Sequence, residues 1–387
     1  MKRIPRVALI IETSGVYGRQ LIEGINQYLQ EHRPWSVYLE QMDLFAEPPG
    51  WLQGWDGDGV ICRTLQSRDA IRALRLPVVD LSDVDEPEPE LARIESDHHA
   101  IGRMVAEHLI ERDFHQFGFS GFGEHRWSRL RQEGFTQATR EAGFKTSIHN
   151  ATWRGKDSWH DDQQRLENWL EAFDGPTGIM TANDMRGQQV LDACANLNLA
   201  VPETMAVVGC DNDSYFCRLC RPQLSSVVPN AIGIGFEAAK LLATMMAGNL
   251  PPKETRPRKC WRKLAPLRIV TRESSDSMAI NDPDVVAAMS YMRTNACYGI
   301  GMTDVMNHVD VSRATLERRF RELVGSTPHN YLRSLRLRKA KELLVETQLP
   351  LDRIAELSGF EHPEYLSVLF KRVEGVTPGT FRNTQLS

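Results

Sequence analysis

Several polar side chains stand directly after short apolar segments in the first part of the chain. Asn183 ends the segment TGIMTAN, Asp211 ends MAVVGCD, and Glu12, Thr13 and Ser14 follow the first apolar run. Carboxylate, amide and hydroxyl groups together can bind a small ligand that carries many hydroxyls. In α/β sheets such ligands bind outside the carboxyl ends of the strands. These five residues therefore predict a ligand-binding site if the apolar segments are parallel strands.

A second group of residues carries positive charge on a predicted helix near the carboxyl end. Arg313, Arg318 and Arg321 lie in the segment SRATLERRFREL, whose apolar positions have helical spacing. An arginine can donate two hydrogen bonds to the edge of a guanine, and other arginines can pair with phosphates. We expect Arg318 to contact a base, and Arg313 and Arg321 to lie near phosphates.

The sequence contains no arrangement typical of catalysis or metal binding. A Walker loop, an HExxH zinc motif and a GxSxG nucleophile motif are all absent. Cys217 and Cys220 have CxxC spacing and Cys210 is near them, but no second pair follows. His98 and His99 are adjacent and would not share a helix face, so we expect solvent-exposed or capping roles for them. The sequence therefore predicts no catalytic residue, no metal and no cofactor.

The composition is that of an ordinary globular protein. The 387 residues are 41% hydrophobic and 25% charged, and the length suits two or three domains. No apolar run approaches the ~20 residues of a membrane span, and the amino end lacks the apolar core of a signal peptide. Seven cysteines in so long a chain do not make a disulfide framework. We therefore expect a cytoplasmic protein.

The chain has two parts with different secondary-structure patterns. Up to about Glu273, short strand-like segments alternate with helix-like segments, which predicts βαβ units and parallel sheets. About 270 residues is large for one such sheet, so we expect two sheets that face each other across a cleft. The polar stretch 276–282 predicts a linker. Asp282 as a cap and Pro283 at the first helical position then open an all-helical part, 283–387.

The all-helical part contains one pattern twice, fifty residues apart. Each copy is predicted to be two short helices joined by a tight turn, and the first helix of the first copy spans 302–309. The predicted buried faces of the second helices are Leu316, Phe320 and Leu323, and Leu366, Phe370 and Val373. Each copy is therefore a helix-turn-helix unit, and a continuous helix over 331–347 joins the two. Two recognition helices on one chain could enter successive major grooves, ~34 Å apart. The alternative is a helical protein-binding module with solvent-exposed arginines.

Residues 285–382 resemble the DNA-binding domain of the AraC/XylS family. The resemblance rests on SRATLERRF, RKAKELLVET, IAELSGF and TPGTFR. It implies base-contacting positions in both units: Ala314, Glu317 and Arg318 in the first, and Pro363, Glu364, Ser367 and Val368 in the second. Relatives often have a long polar side chain where this chain has Val368. We therefore expect the second unit to contact mainly the DNA backbone, through Lys371 and Arg372.

Residues 6–273 resemble the LacI/GalR effector domain, which is similar to periplasmic sugar-binding proteins. The resemblance rests on residues 176–213, on PQLSSVVP and on PLRIVTRESS. It implies a two-lobed α/β domain, here 1–275, with a small metabolite bound between the lobes. It also implies Asp211 and Arg131 as ligand-binding residues. A sugar offers apolar C–H faces as well as hydroxyls, and Tyr17 and Trp127 are candidate aromatic contacts for them.

The combination of the two parts is similar, over essentially the whole chain, to bacterial activators of xylose-utilisation genes. The resemblance implies a homodimer that binds double-stranded operator DNA, responds to D-xylose and contacts RNA polymerase. One alternative is a regulator that responds to another pentose or a small polyol. An alternative of a different class is a sugar-converting enzyme with an accessory helical domain, although the sequence lacks a catalytic cluster.

Overall fold

The computed structural model describes residues 3–43, 46–47, 49–63, 71, 73–84, 91–153, 159–249 and 261–386. The chain forms two compact units, Met1–Ser277 and Met278–Ser387. We call them the sensor unit and the helical unit. The division falls within the stretch 276–282 for which the sequence predicts a linker. In the part of the chain that is described, no helix is long and apolar enough to cross a membrane.

The first sheet of the sensor unit has six parallel strands. In chain order these are β1 (Arg6–Ile11), β2 (Ser36–Leu39), β3 (Gly59–Arg63), β4 (Val78–Asp80), β5 (Ala92–Ser96) and β11 (Trp261–Leu264). Their order across the sheet is β11-β5-β4-β3-β1-β2. The inner strands are apolar runs buried on both faces, as expected for a parallel sheet covered by helices.

The second sheet also has six strands. They are β6 (Gln116–Phe122), β7 (Thr146–Ala151), β8 (Thr177–Thr181), β9 (Met205–Cys210), β10 (Ser225–Val228) and β12 (Arg268–Val270). The order is β12-β10-β9-β8-β6-β7, and only β12 is antiparallel to its neighbour. The two sheets confirm the predicted two-lobed α/β architecture.

Helices cover both sheets. They are α1 (Val16–Glu31), α2 (His98–Ile110), α3 (Arg126–Glu141), α4 (Trp159–Glu171), α5 (Asp184–Asn196), α6 (Ser214–Leu219) and α7 (Ala231–Met246). Helices α1 and α7 pack on the first sheet through a shared core that includes Leu21, Ile25 and Leu242. With this sheet they form the first lobe, and α2 to α6 with the second sheet form the second lobe.

The chain passes between the lobes at three places, which lie close together. The first is Asp97, between β5 and α2; the second is 229–230, between β10 and α7; the third is 265–267, between β11 and β12. The Asp97 amide donates to the Leu264 carbonyl at 2.8 Å, and the Leu267 amide donates to the Val228 carbonyl at 3.0 Å. Short, hydrogen-bonded crossings of this kind allow two lobes to move as rigid bodies about a hinge.

The helical unit contains the two predicted helix-turn-helix units. Its helices are α8 (Pro283–Asn295), α9 (Met302–Met306), α10 (Arg313–Val324), α11 (Pro328–Glu346), α12 (Leu351–Leu357), α13 (Pro363–Glu374) and α14 (Pro378–Leu386). Each unit has its own apolar core, and α11 contributes to both. Leu332 and Leu335 belong to the first core, and Leu337 and Leu344 to the second. One continuous helix thus holds both units, as the sequence predicts.

Two details of the predicted helical unit are wrong. Helix α9 ends at Met306 rather than at residue 309, because Val309 and Val311 both turn in to pack against the first core. Leu323 and Val373 are 43% and 57% exposed, although helical spacing predicts them as buried. They share one cause: each recognition helix runs past its core before it ends at a left-handed glycine, Gly325 or Gly375.

Candidate functional site

A cavity of about 180 Å³, lined by charged, polar and aromatic side chains, lies at the carboxyl ends of strands from both lobes. This is smaller than the ~300–1,000 Å³ typical of pockets for drug-sized ligands, so it suits a small metabolite. Its walls come from both sides of the cleft: Glu12, Ser14, Gly15, Val16, Tyr17, Arg63 and Asp83 in the first lobe, and His98, Trp127, Arg131, Trp153, Asn183 and Asp211 in the second.

Seven of the eight ligand-binding residues predicted from the sequence line this cavity. They are Glu12, Ser14, Tyr17, Trp127, Arg131, Asn183 and Asp211. Thr13 is the exception, because its hydroxyl donates to the Met42 carbonyl at 3.3 Å and accepts from the Met42 amide at 3.1 Å. Thr13 thus holds the neighbouring loop against β1, and its backbone carries Glu12 and Ser14 to the cavity.

The first-lobe wall is organised by a buried arginine, Arg63, at the end of β3. Arg63 donates to the Glu12 carboxylate and lies 3.5 Å from an Asp83 carboxylate oxygen. Its guanidinium also stacks over the Tyr17 ring, 4.7 Å from the ring centroid. Burial alone would lower the pKa of Arg63, but Glu12 and Asp83 outweigh burial and raise that pKa above its usual value. The arginine is therefore a permanent cation in this wall.

His98 connects the two walls. Its side chain is buried, with Nε2 2.9 Å from Asp83 Oδ1 and Nδ1 3.4 Å from the Arg131 Nε that donates to it. Because Arg131 Nε donates to Nδ1, the His98 proton that faces Asp83 is on Nε2. The predicted capping or solvent-exposed role is wrong for His98, because Asp97 caps α2 by accepting from the Ala100 amide.

The second-lobe wall centres on Arg131. This side chain donates to Asp211 Oδ1 at 3.2 Å and to the Ala182 carbonyl, and it stacks over Trp127 at 5.0 Å. Its position depends on close packing of α2 against α3: a Cβ on Gly102 would lie 2.1 Å from the Arg131 carbonyl oxygen. Two helices can approach this closely only where a side chain is missing. The glycine therefore sets the distance between His98 and Arg131.

Asp211 stands in a strained turn after β9. Its φ is 105°, and that of Asn212 is 47°, values that residues with a Cβ adopt rarely. Strain of this kind concentrates at binding sites and persists only where the surroundings hold it. Asp184 supplies part of that support, because its buried carboxyl group accepts from Ser226 Oγ and from the Asp213 amide. Asn183, and not Asp184, caps α5, by accepting from the Arg186 amide at 3.0 Å.

Burial gives Asp184 an unusual protonation state. It raises the pKa of Asp184 to about 8, with a further contribution from the nearby Asp211 carboxylate. Asp184 does not line the cavity, so it is not placed as a ligand contact. It lies beneath the Asp211 turn as a carboxyl group that is mostly protonated at neutral pH.

Six cavity residues were not among the ligand contacts predicted from the sequence: Gly15, Val16, Arg63, Asp83, His98 and Trp153. A signal for Arg63 was available, because it ends β3 just as Asp211 follows β9. Asp83 likewise comes three residues after β4. Trp153 comes two residues after β7, a strand that the sequence did not reveal, and nothing local distinguishes His98.

Three buried polar atoms of cavity residues have no hydrogen-bond partner within the described part of the chain. They are Glu12 Oε2, which is an acceptor, and Arg63 Nε and Trp153 Nε1, which are donors. Buried polar groups are nearly always hydrogen-bonded, because leaving one unpaired costs ~1–3 kcal/mol. These three atoms have almost no accessible surface, so they belong to the packed walls of the cavity.

The first recognition helix, α10, presents its predicted DNA-binding residues to solvent. Ser312 caps it by accepting from the Thr315 amide, and Arg313, Ala314, Arg318 and Arg321 are exposed while Glu317 is half-buried. Each arginine is held by a carboxylate of the same helix. Arg313 and Arg321 lie 3.0 and 3.6 Å from Glu317, and Arg318 donates to both oxygens of Glu322 at 3.1 and 3.0 Å.

The second recognition helix, α13, has a less polar exposed face. Pro363 stands at its start, Val368 is exposed, and Lys371 and Arg372 are exposed in the last turn. Of the other two predicted contacts, Glu364 is exposed and Ser367 is half-buried. The two units thus differ in the chemistry that they offer: charged side chains along α10, and an apolar centre followed by cations on α13.

The cysteines near the cavity are buried thiols. Cys210, Cys217 and Cys220 are all free, and burial raises the pKa of Cys220 to about 11. Within the described ranges, no group of three or more His, Cys, Asp or Glu side chains is placed to hold a metal ion.

Comparison with known proteins yields matches along most of the chain. Residues 6–90 match the XylR N-terminal domain, 106–275 a periplasmic binding protein-like domain and 305–384 a helix-turn-helix domain. The chain is 32% identical to the xylose operon regulatory protein of Escherichia coli (strain K12), over 98% of this chain and 97% of that protein. It is 29% identical to the Haemophilus influenzae protein of the same name, over 97% and 98%. A solved structure of the xylose-binding transcription activator xylR is 30% identical and superposes with a TM-score of 0.83, covering 99% of each chain.

Proposed function

Because the chain belongs to the family of xylose operon regulatory proteins, we propose that it binds D-xylose in its sensor unit and activates xylose-utilisation genes in response. The members of this family are sugar-responsive, DNA-binding transcription regulators and not enzymes. The sugar-converting enzyme considered from the sequence alone therefore has no support.

The observation that carries the proposal is the lining of the cavity, which combines carboxylate, guanidinium, amide and aromatic side chains from both lobes. A pentose hydroxyl can donate to the Glu12 or Asp211 carboxylate, and sugar oxygens can accept from Arg131 or Asn183. The rings of Tyr17, Trp127 and Trp153 supply apolar surface for the C–H faces of the sugar.

The proposed site takes residues from both lobes. Glu12, Ser14 and Tyr17 contact the sugar from the first lobe. From the second lobe the contacts are Trp127, Arg131, Asn183 and Asp211. A ligand that contacts both sides binds most tightly when the lobes are closed on it, so it shifts the population toward the closed form. Closure is the step by which the sugar acts on the rest of the molecule.

In the helical unit, α10 is the main sequence-specific element of the proposal. Arg318 contacts a guanine edge, Ala314 and Glu317 face bases, and Arg313 and Arg321 lie at phosphates. Helix α13 adds contacts near the backbone through Lys371 and Arg372. Its Pro363, Glu364, Ser367 and Val368 contribute weaker base preference. DNA displaces the carboxylate partners of the α10 arginines, so binding exchanges intrahelical ion pairs for contacts with DNA.

We further propose a cytoplasmic homodimer that contacts RNA polymerase. Two helical units per dimer suit paired half-sites at a fixed spacing, because a two-fold symmetric protein matches a repeated operator. Sugar-induced closure would change how the two chains pair, and thereby the spacing of their recognition helices along DNA.

The test is a ligand screen by thermal shift and calorimetry. D-Xylose at ~100 times its dissociation constant should add ~2.7 kcal/mol to the free energy of unfolding. L-Arabinose, D-ribose, xylitol and D-glucose are the comparisons, since the polar atoms of the cavity alone do not distinguish one pentose or polyol from another. A larger effect from one of these would replace D-xylose as effector, and no effect from any would contradict the sugar-binding site.

A further inference from the structure

We propose that Arg126 and Glu95 form an interlobe ion pair that positions helix α3 and sets how readily the cleft closes on its ligand. The pair lies outside the cavity, since neither residue is among those that line it. The inference rests on the proposed function only in that closure is taken to favour ligand binding.

The pair joins the two lobes directly. Glu95 is in β5 of the first lobe, and Arg126 is the first residue of α3 in the second lobe. Arg126 Nη1 lies 3.0 Å from Glu95 Oε2, and Nη2 lies 3.5 Å from Oε1, a two-pronged contact. The Glu95 side chain has 0% exposure and that of Arg126 has 13%. An ion pair this well buried is only weakly screened by salt, unlike a surface pair.

The surroundings of Glu95 allow the pair to open without leaving an isolated buried charge. Arg93 Nε lies 3.2 Å from Glu95 Oε2, and Lys263 Nζ lies 3.8 Å from Oε1. Both cations belong to the first lobe: Arg93 is on the same strand, and Lys263 is the register partner of Glu95 on β11. Breaking a buried pair is costly mainly when one charge is left uncompensated. Because Glu95 keeps two cations, the contact with Arg126 can form and break as the lobes move.

The pair also fixes the start of the helix that carries two ligand contacts. Arg126 immediately precedes Trp127 and lies five residues before Arg131. When Arg126 docks on Glu95, the first turn of α3 is held against the first lobe and both side chains are held at the cavity. Arg126 and Glu95 are therefore positioning residues. They alter ligand affinity through the fraction of molecules in the closed form.

The test is a double-mutant cycle in the full chain, measured on D-xylose affinity by calorimetry. Arg126→Gln and Glu95→Gln should each weaken binding by about tenfold, because a smaller closed fraction lowers the apparent affinity in proportion. The double variant should be no weaker than the weaker of the two single variants, and Arg126→Lys should recover part of the loss. A residue with a purely structural role would instead lower stability and leave affinity unchanged.

The control is Arg103→Gln, which removes a more exposed ion pair within one lobe. Arg103 makes a similar two-pronged contact with Glu141, at 2.9 and 3.2 Å, but both residues lie within the second lobe. Its loss should leave affinity within about twofold of wild type, since no lobe-to-lobe contact is lost.

A second measurement does not need the sugar. In small-angle X-ray scattering of ligand-free protein, Arg126→Gln should have a larger radius of gyration than the Arg103→Gln control. Additive effects in the cycle would overturn the proposal, as would unchanged affinity together with an unchanged radius. If no sugar binds wild type, the proposed function fails. The role of the ion pair in closure is then tested only by the radius of gyration of the ligand-free variants.

Discussion

Within the second lobe, Arg131 Nε donates to His98 Nδ1 at 3.4 Å. The other ring nitrogen of His98, Nε2, lies 2.9 Å from Asp83 Oδ1 of the first lobe. The histidine therefore sits between the residue that binds Asp211 and the carboxylate that anchors Arg63. The cavity is not two independent walls, because a continuous polar network runs from Glu12 to Asp211 through the hinge.

The first prediction tests this network. His98→Phe keeps an aromatic ring at this position but removes the hydrogen bonds to Asp83 and Arg131. Each of these two buried residues then lacks one of its hydrogen-bond partners. We expect D-xylose affinity to fall by about 5–150-fold, corresponding to ~1–3 kcal/mol for an unpaired buried group. His99→Gln is the control, because His99 is on the exposed side of the same helix, near Glu133. Equal affinities for wild type and His98→Phe, measured by calorimetry, would show that the two walls act independently.

The second prediction concerns pH. Burial raises the pKa of Asp184 from near 3.8 to about 8, so the folded protein keeps a proton that the unfolded chain releases above about pH 4. The contribution of this group to stability is therefore fully present below about pH 4 and is lost as the pH rises to about 8. Asp184→Asn cannot ionise, and its free energy of unfolding should vary less between pH 5 and pH 8 than that of wild type. Denaturant titrations at both pH values test this, and a variant of an exposed residue, Asp161→Asn, is the control. If the free energy of unfolding changes equally between pH 5 and pH 8 in all three proteins, the raised pKa of Asp184 is contradicted.

The third prediction separates the two recognition helices. Arg318→Ala should cost ~1–3 kcal/mol on the cognate site and relax preference at one base, while Val368→Ala should cost much less. Competition binding against a set of single-base operator variants measures both. Should Arg318→Ala lose the same affinity on specific and random DNA, this arginine contacts only phosphate.

A companion substitution tests the role of the carboxylate that holds Arg318. Glu322→Gln removes the partner of Arg318 and one negative charge from the surface that we propose binds DNA. Affinity for random DNA at low salt should rise, because the free arginine no longer has to leave an ion pair. Unchanged affinity at several salt concentrations would mean that the pair does not compete with DNA.

The fourth prediction concerns the boundary between the units. A fragment from Met278 to Ser387 should fold alone and bind DNA without sugar, with an affinity that falls steeply with salt. A fragment that begins at Asn281 keeps the Asp282 cap but loses Ile280, which is 3% exposed in the first core. It should be less stable by about 2 kcal/mol, the value of one buried aliphatic side chain. Thermal unfolding followed by circular dichroism compares the two fragments. If the fragment from Met278 to Ser387 is unfolded, the boundary between the units is wrong.

The sequence predicts the architecture well where a pattern is local or repeated. The matched positions Leu316 and Leu366 fill equivalent places in the two cores, and Gly359 has the left-handed conformation that its turn requires. Prediction from the sequence fails where the burial of side chains along an element is not periodic. Strand β2 has all four residues exposed at the edge of its sheet, so Val37 and Leu39 give no alternation to detect.

The cavity is predictable only in part, for a related reason. Residues at strand ends, such as Asp211, can be found from the position of the strand, and the same rule covers Arg63. His98 cannot be found in this way, because its role arises from the approach of two lobes that are distant in the chain. Arg126 and Glu95 show the same limit, since 31 residues separate them and neither ends a helix or strand in a way that marks it.

The central claim is that a sugar held in the cleft changes the affinity of the helical unit for DNA. The most direct measurement is operator affinity with and without saturating D-xylose, for wild type and Asp211→Ala, on a site selected from random DNA with the full chain. Coupling of ~1–3 kcal/mol predicts a 5–150-fold change for wild type. Asp211→Ala should remove that change, because it deletes a carboxylate of the proposed sugar site. No change for wild type, or a full response from the variant, would contradict the account.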